Sequence, residues 1–126
     1  MHIDTAPLLA RDWERDQCWD LAAAALASIG VTLPDAEAVL AMEGAYGREL
    51  HAGERPRCGD VVVMRGGGFG GGGTPHVGVV CDAGGWRVVH TSSRGGAIVT
   101  AMAALTRARN VVRVVRPVGL DVNSER

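Results

Sequence analysis

Three residues with nucleophilic or acid–base capacity stand at places where a fold could bring them together. Cys18 opens an alanine-rich helical pattern, His76 opens one valine-rich run and His90 closes the next. A cysteine at a helix start takes a histidine as its base, and that histidine needs a third polar group to fix its tautomer and orientation. Cys18, His76 and His90 would serve as nucleophile, general base and orienting residue in that order. The backbone N–H of Cys18 is the natural first donor to an oxyanion.

The helix that must carry Cys18 is written in Leu21, Ala25 and Ile29 at helical spacing, with Gly30 as a stop, and it is predicted over 18–29. Asp16 is the expected N-cap. Helix-start N–H groups favour a thiolate, and cysteine pKa values there fall from about 8.5 to roughly 3.5–7.5. Asp16 and Asp20 flank the sulfur and oppose ionisation, so a cationic neighbour is needed. A free cysteine at such a place is also commonly a small buried hydrophobe. The stretch by itself therefore leaves both readings open.

The histidines impose a condition on the sheet. His90 follows His76 by fourteen residues, and side chains alternate along a strand. The two rings share a face only if the hairpin loop has an odd number of residues. Asp82 opposite Trp86 across Ala83-Gly84-Gly85 gives a three-residue loop with glycine for its left-handed position. On that register His90 lies diagonal to His76, within reach of long side chains.

The rest of the chain supplies the frame. A length of 126 residues makes one domain, 1–126, with an N-terminal arm over 1–12 and a tail over 118–126. The arm reads as irregular, anchored by Leu8 and Leu9. After Gly30 a second helix is predicted over 35–44, and 46–58 reads as an exposed loop. Strands are expected over 60–64, 77–81, 86–90, 97–100 and 111–115, with a short helical turn over 101–107. Helices first and an antiparallel meander afterwards define an α+β domain.

Composition excludes several functions. The net charge is −1 and all 13 basic residues are arginines scattered along the chain, so nothing suggests a nucleic-acid partner. No stretch has the apolar length of a membrane span, and no signal-peptide pattern is visible at the N-terminus. Cys18, Cys58 and Cys81 form no Cys-x-x-Cys pair and leave one over in any disulfide scheme. A zinc site from these cysteines with His76 and His90 matches no common spacing, and Cys81 should point away from His76. Residues 66–73, seven glycines around Phe69, lack the Gly-Lys-Ser/Thr ending of a phosphate loop and read as a connection between strands. Asp60 reads as a strand-start residue bonding backbone or an arginine.

With these residues in view, the chain resembles the NlpC-type papain-like cell-wall peptidases, particularly those of phage tails, over roughly Trp13 to Pro117. Cys18-Trp19 before a small-residue helix resembles the family's Asp-Cys-Ser-Gly or Asp-Cys-Trp-Gly nucleophile motif. Pro56-Arg57-Cys58-Gly59-Asp60-Val61-Val62 resembles its Pro-x-x-Gly-Asp-hydrophobic strand. Thr74-Pro75-His76-Val77-Gly78-Val79-Val80 is similar to its His-Val-Gly-hydrophobic strand, and Val88-Val89-His90-Thr91-Ser92 to the segment with the orienting residue.

The resemblance implies a papain-like fold with N-terminal helices on a five- to six-stranded antiparallel sheet. It implies hydrolysis of peptidoglycan stem-peptide bonds, typically D-glutamyl to diamino acid, through a Cys18 thioester and without a metal or organic cofactor. The implied partners are stem peptides and other tail or baseplate proteins. The implied location is a virion tail acting at the cell wall. Trp13, Gln17, Trp19, Asp20 and Thr74 are the expected substrate-groove residues. Gln17 and Asp20 depart from the family, which usually has Asp and Gly there, and the upstream Tyr and Gly-Gly are missing. A competing expectation keeps the fold without the chemistry, as a structural subunit of the tail or baseplate.

Overall fold

The structure is a computed structural model, which describes residues 2–14, 16–33, 47–65, 76–108 and 110–120. The predicted second helix over 35–44, the glycine run 66–73 and Thr74 lie outside the described residues. The elements in chain order are α1 (Ala6–Leu9), α2 (Cys18–Ala27), β1 (Gly47–Glu49), β2 (Val61–Met64), β3 (His76–Val80), β4 (Arg87–Thr91), β5 (Ala97–Ala101), α3 (Met102–Arg107) and β6 (Val111–Pro117).

The six strands form one antiparallel sheet in the order β1-β6-β2-β3-β4-β5. The α+β class and the strand count are as expected. Valine-rich strands are buried on both faces because the sheet is covered twice. On one face Leu21, Ala22, Ala25 and Leu26 of α2 pack with Val61, Val63, Val77, Val79 and Val89. On the other, Val62, Met64, Val80 and Val88 pack beneath Leu105 of α3, with Met102 beside them. Each apolar side chain removed from water contributes about 1.5–3 kcal/mol, so these faces dominate the stability of the sheet.

Several expectations are corrected in detail. The loop read over 46–58 contains β1, whose Gly47–Glu49 pairs with Val115–Pro117 of β6. Three residues with no apolar alternation leave no strand signature, and pairing alone creates the strand. The N-terminal arm contains the short α1 and is pinned by the Ile3 N–H donating to the Cys81 carbonyl at 2.8 Å. Of its two expected anchors, Leu8 is buried while Leu9 is 45% exposed. Helix α2 has Gln17, not Asp16, at its N-cap and no side-chain cap. The Gln17 side chain is used otherwise: its Oε1 accepts the Glu14 N–H at 2.9 Å.

One ionic cluster ties the far strands together. Asp60 is fully buried and accepts Arg116 Nε at 3.0 Å, Arg116 Nη2 at 2.9 Å and the Arg57 N–H at 2.8 Å. Arg116 Nη1 also donates to Glu54 at 3.0 Å, and Arg48 grips the same carboxylate. Asp60 is thus a strand-start residue bonding both backbone and an arginine, as the sequence suggested.

Candidate functional site

The β3–β4 hairpin has the register that the spacing required. Gly78 pairs with His90, Val79 with Val89 and Val80 with Val88. Asp82 Oδ1 accepts the Arg87 N–H at 2.7 Å and Oδ2 the Trp86 N–H at 3.2 Å, closing the turn. Gly85 takes φ +77°, and a Cβ there would lie 2.0 Å from the Pro56 carbonyl oxygen, so only glycine fits. The odd loop puts both imidazoles on one face. His76 Nε2 lies 3.1 Å from His90 Nδ1, with the rings edge-on at an interplanar angle of 82°.

The contact continues across the sheet. His90 Nε2 lies 2.8 Å from Thr100 Oγ1 on β5, and His90 Nδ1 lies 3.1 Å from the Thr91 carbonyl oxygen. That carbonyl also accepts from the His76 ring. Gly78 makes the approach possible, since a Cβ there would sit 2.6 Å from Val88 and 3.1 Å from the His90 Cβ. Thr100 carried no signal in the sequence, because a threonine in an apolar strand is ordinary. Only the β4–β5 register places it beside His90.

Cys18 is the first residue of α2 and is 6% exposed. The backbone N–H groups of Val77, Trp19 and Cys18 all favour its anion, but burial outweighs them and raises the thiol pKa, with Asp20 adding to the rise. The expected low-pKa thiolate is thus not the resting form. Burial first, and the neighbouring His90 second, hold His76 down at about 4. Burial also lowers His90. At neutral pH Cys18 therefore rests as a thiol and both imidazoles are uncharged.

Cys18 packs with Val77 and Val79 on the α2 face, whereas His76 is in register with Met64 of the opposite face. Side chains alternate along β3, so the His76 ring leaves the sheet on the face opposite the one that α2 and Cys18 cover, and the sulfur's contact with β3 is the Val77 amide.

The expected groove residues divide. Trp13 is enclosed in the core at 4% exposure, its indole N–H donating to the Leu8 carbonyl at 2.8 Å, so it packs rather than faces a groove. Trp19 is half-buried against Val115, and its buried indole N–H has no hydrogen-bond partner among the described residues. Gln17 is half-buried and Asp20 exposed beside the nucleophile position. Cys58 and Cys81 are buried in the core, where burial pushes Cys58 up to about 11 and also raises Cys81. Among the described residues no group of three or more His, Cys, Asp and Glu side chains could hold a metal. No helix among them is long and apolar enough to cross a membrane.

A separate open cavity of about 560 Å³ lies at the closed end of the hairpin, lined by Pro56, Trp86, Met102 and Arg107 among others. It contains neither Cys18 nor the histidines. The chain matches no protein-family model and no curated protein sequence.

Proposed function

We propose that the chain is a cysteine peptidase of papain-like, NlpC-type architecture that cleaves stem-peptide amide bonds in peptidoglycan as part of a phage tail or tail-like particle. The observation that carries this reading is the 3.1 Å contact between His76 Nε2 and His90 Nδ1, which pairs the expected base with its expected orienting residue. The helix-start position of Cys18 supports the same reading.

Cys18 is the nucleophile, His76 the general base and His90 the residue that orients it. His76 takes the thiol proton as Sγ attacks the scissile carbonyl, and the negative charge moves to the carbonyl oxygen. The Cys18 N–H donates to that oxyanion. Collapse breaks the C–N bond, and His76 returns the proton to the departing amine. A water molecule then hydrolyses the thioester, with His76 taking its proton, and the thiol is restored. Because the resting pair is uncharged, proton transfer accompanies attack rather than preceding it.

Digestion of purified peptidoglycan by the wild-type chain and by Cys18→Ser tests the proposal. A new free amine on the diamino acid, detected by mass spectrometry with the wild type only, is the expected result. Uncleaved stem peptides with a folded wild-type chain would overturn it. A second reading, a structural subunit of the tail or baseplate with the same fold, is favoured by the deep burial of Cys18 and its raised pKa.

A further inference from the structure

We propose that β5 is a dimerisation edge: two copies of the chain pair antiparallel through it about Val99 and join their sheets into one. The proposal is independent of the chemistry assigned to Cys18 and the histidines.

Among the described strands β1 and β5 are the two ends of the sheet, and the two edges differ. β1 has three residues and carries Arg48 and Glu49, and a short charged edge resists pairing with another chain. β5 has five residues, Ala97–Ala101, and no charged residue or proline occurs from Gly95 to Thr106. Ile98 and Val99 are 40% and 37% exposed. An uncharged apolar edge of this kind is a template for another strand.

The hydrogen bonds fix which groups face outward. The Arg87 carbonyl accepts the Cys81 N–H at 2.9 Å, towards β3, and the Trp86 carbonyl accepts the Met102 N–H at 2.7 Å, towards β5. Bonding direction alternates along a strand. In the β4–β5 register Ile98 and Thr100 therefore aim their backbone groups at β4, while Ala97, Val99 and Ala101 aim theirs away from the sheet. Among the described residues none bonds the backbone of Val99 or the N–H of Ala101.

That outward set fits itself. With Val99 opposite Val99 of a second copy, the two residues exchange both of their bonds. The Ala101 N–H of each copy then meets the Ala97 carbonyl of the other. The Ala101 carbonyl takes no part, because Ala101 is the N-cap of α3 and its carbonyl turns into the helix. The side chains agree with the backbone: Val99 faces Val99, Ala97 faces Ala101 and Ile98 faces Thr100, with no like charges opposed and β-branched residues paired. A foreign strand would have to supply this match, whereas a second copy carries it. The pairing uses β5 of both copies and β1 is blunted, so the assembly closes as a two-fold dimer. It covers Ile98 and sets it beside Thr100 of the other copy, the residue whose hydroxyl lies 2.8 Å from His90 Nε2.

Sedimentation equilibrium of the full chain at concentrations up to about 1 mM, wide enough for a small interface, tests this together with amide hydrogen exchange read by NMR. A monomer–dimer equilibrium is expected, in which protection of the Val99 and Ala101 amides rises with concentration. Val99→Pro suits an edge whose N–H faces solvent. It removes the two Val99 bonds, so the dissociation constant should rise about tenfold or more. Val99→Lys keeps the N–H but sets like charges opposite one another, and it should weaken the dimer as well. A chain that stays monomeric throughout would overturn the inference and leave the edge to a strand of another protein. A dimer in which the Val99 and Ala101 amides gain no protection, or an open-ended series of oligomers, would overturn it too. Exchange in the wild type decides even if neither variant folds.

Discussion

His76 and His90 meet diagonally across β3 and β4, Nε2 to Nδ1 at 3.1 Å, because the loop between their strands has three residues and Gly78 has no side chain. Everything proposed for the site depends on that contact.

Replacing Gly78 should therefore reach the site without touching either ring directly. In Gly78→Ala the new methyl would lie 2.6 Å from Val88 and 3.1 Å from the His90 Cβ, so β4 must shift. A loss of about 1–3 kcal/mol is expected from overpacking. The His90 ring resonances should move more than those of residues on β6. Urea denaturation and ring-selective spectra check the two effects.

Stability should fall on mild acidification. The native chain holds His76 at about 4, whereas an unfolded histidine titrates near 6.5. Between those values the unfolded chain binds a proton that the native chain refuses, so stability is full above about 6.5 and declines towards about 4. His90 is lowered by burial too and acts in the same direction. The loss for His76 is on the order of 3 kcal/mol at about 1.4 kcal/mol per pKa unit. Denaturation midpoints across this window should flatten in His76→Gln.

The thiol should respond to its neighbours in the opposite sense from a preformed ion pair. Burial, with help from Asp20, raises the Cys18 pKa, so its alkylation rate should keep climbing as pH rises from 6 to 9. A plateau beginning near pH 5 would indicate a thiolate–imidazolium pair. Asp20→Asn removes a like charge and should speed alkylation at pH 7.5 by a few fold.

The Asp60–Arg116 pair fixes β6 against β2. Arg116→Met leaves a fully buried carboxylate without its bidentate partner. A cost of about 3–5 kcal/mol is expected, measured by urea denaturation at pH 7. The proposed peptidase activity per folded molecule should be unchanged.

The hairpin was legible in the sequence because three constraints agreed there: strict alternation, a glycine-bearing odd loop and a histidine on each strand. The Asp60–Arg116 contact was half legible, since a buried strand-start acid demands a partner but does not name one 56 residues away. β1 was hidden because its pairing with β6 comes from tertiary contact, not local pattern. Thr100 was hidden for a related reason, because a register two strands away decides its neighbour. The helix start of Cys18 was readable, whereas its protonation was not. Helix-end N–H groups depend on local sequence, but desolvation depends on everything packed around the sulfur.

The most direct measurement is alkylation of the native chain with iodoacetamide at pH 8, with the modified cysteines mapped by mass spectrometry and His76→Ala run in parallel. Cys18 is expected to react far faster than Cys58 and Cys81, and the histidine variant to lose that preference while staying folded. A folded wild-type chain in which Cys18 is no more reactive than Cys58 and Cys81 would contradict the nucleophile assignment and favour a structural subunit.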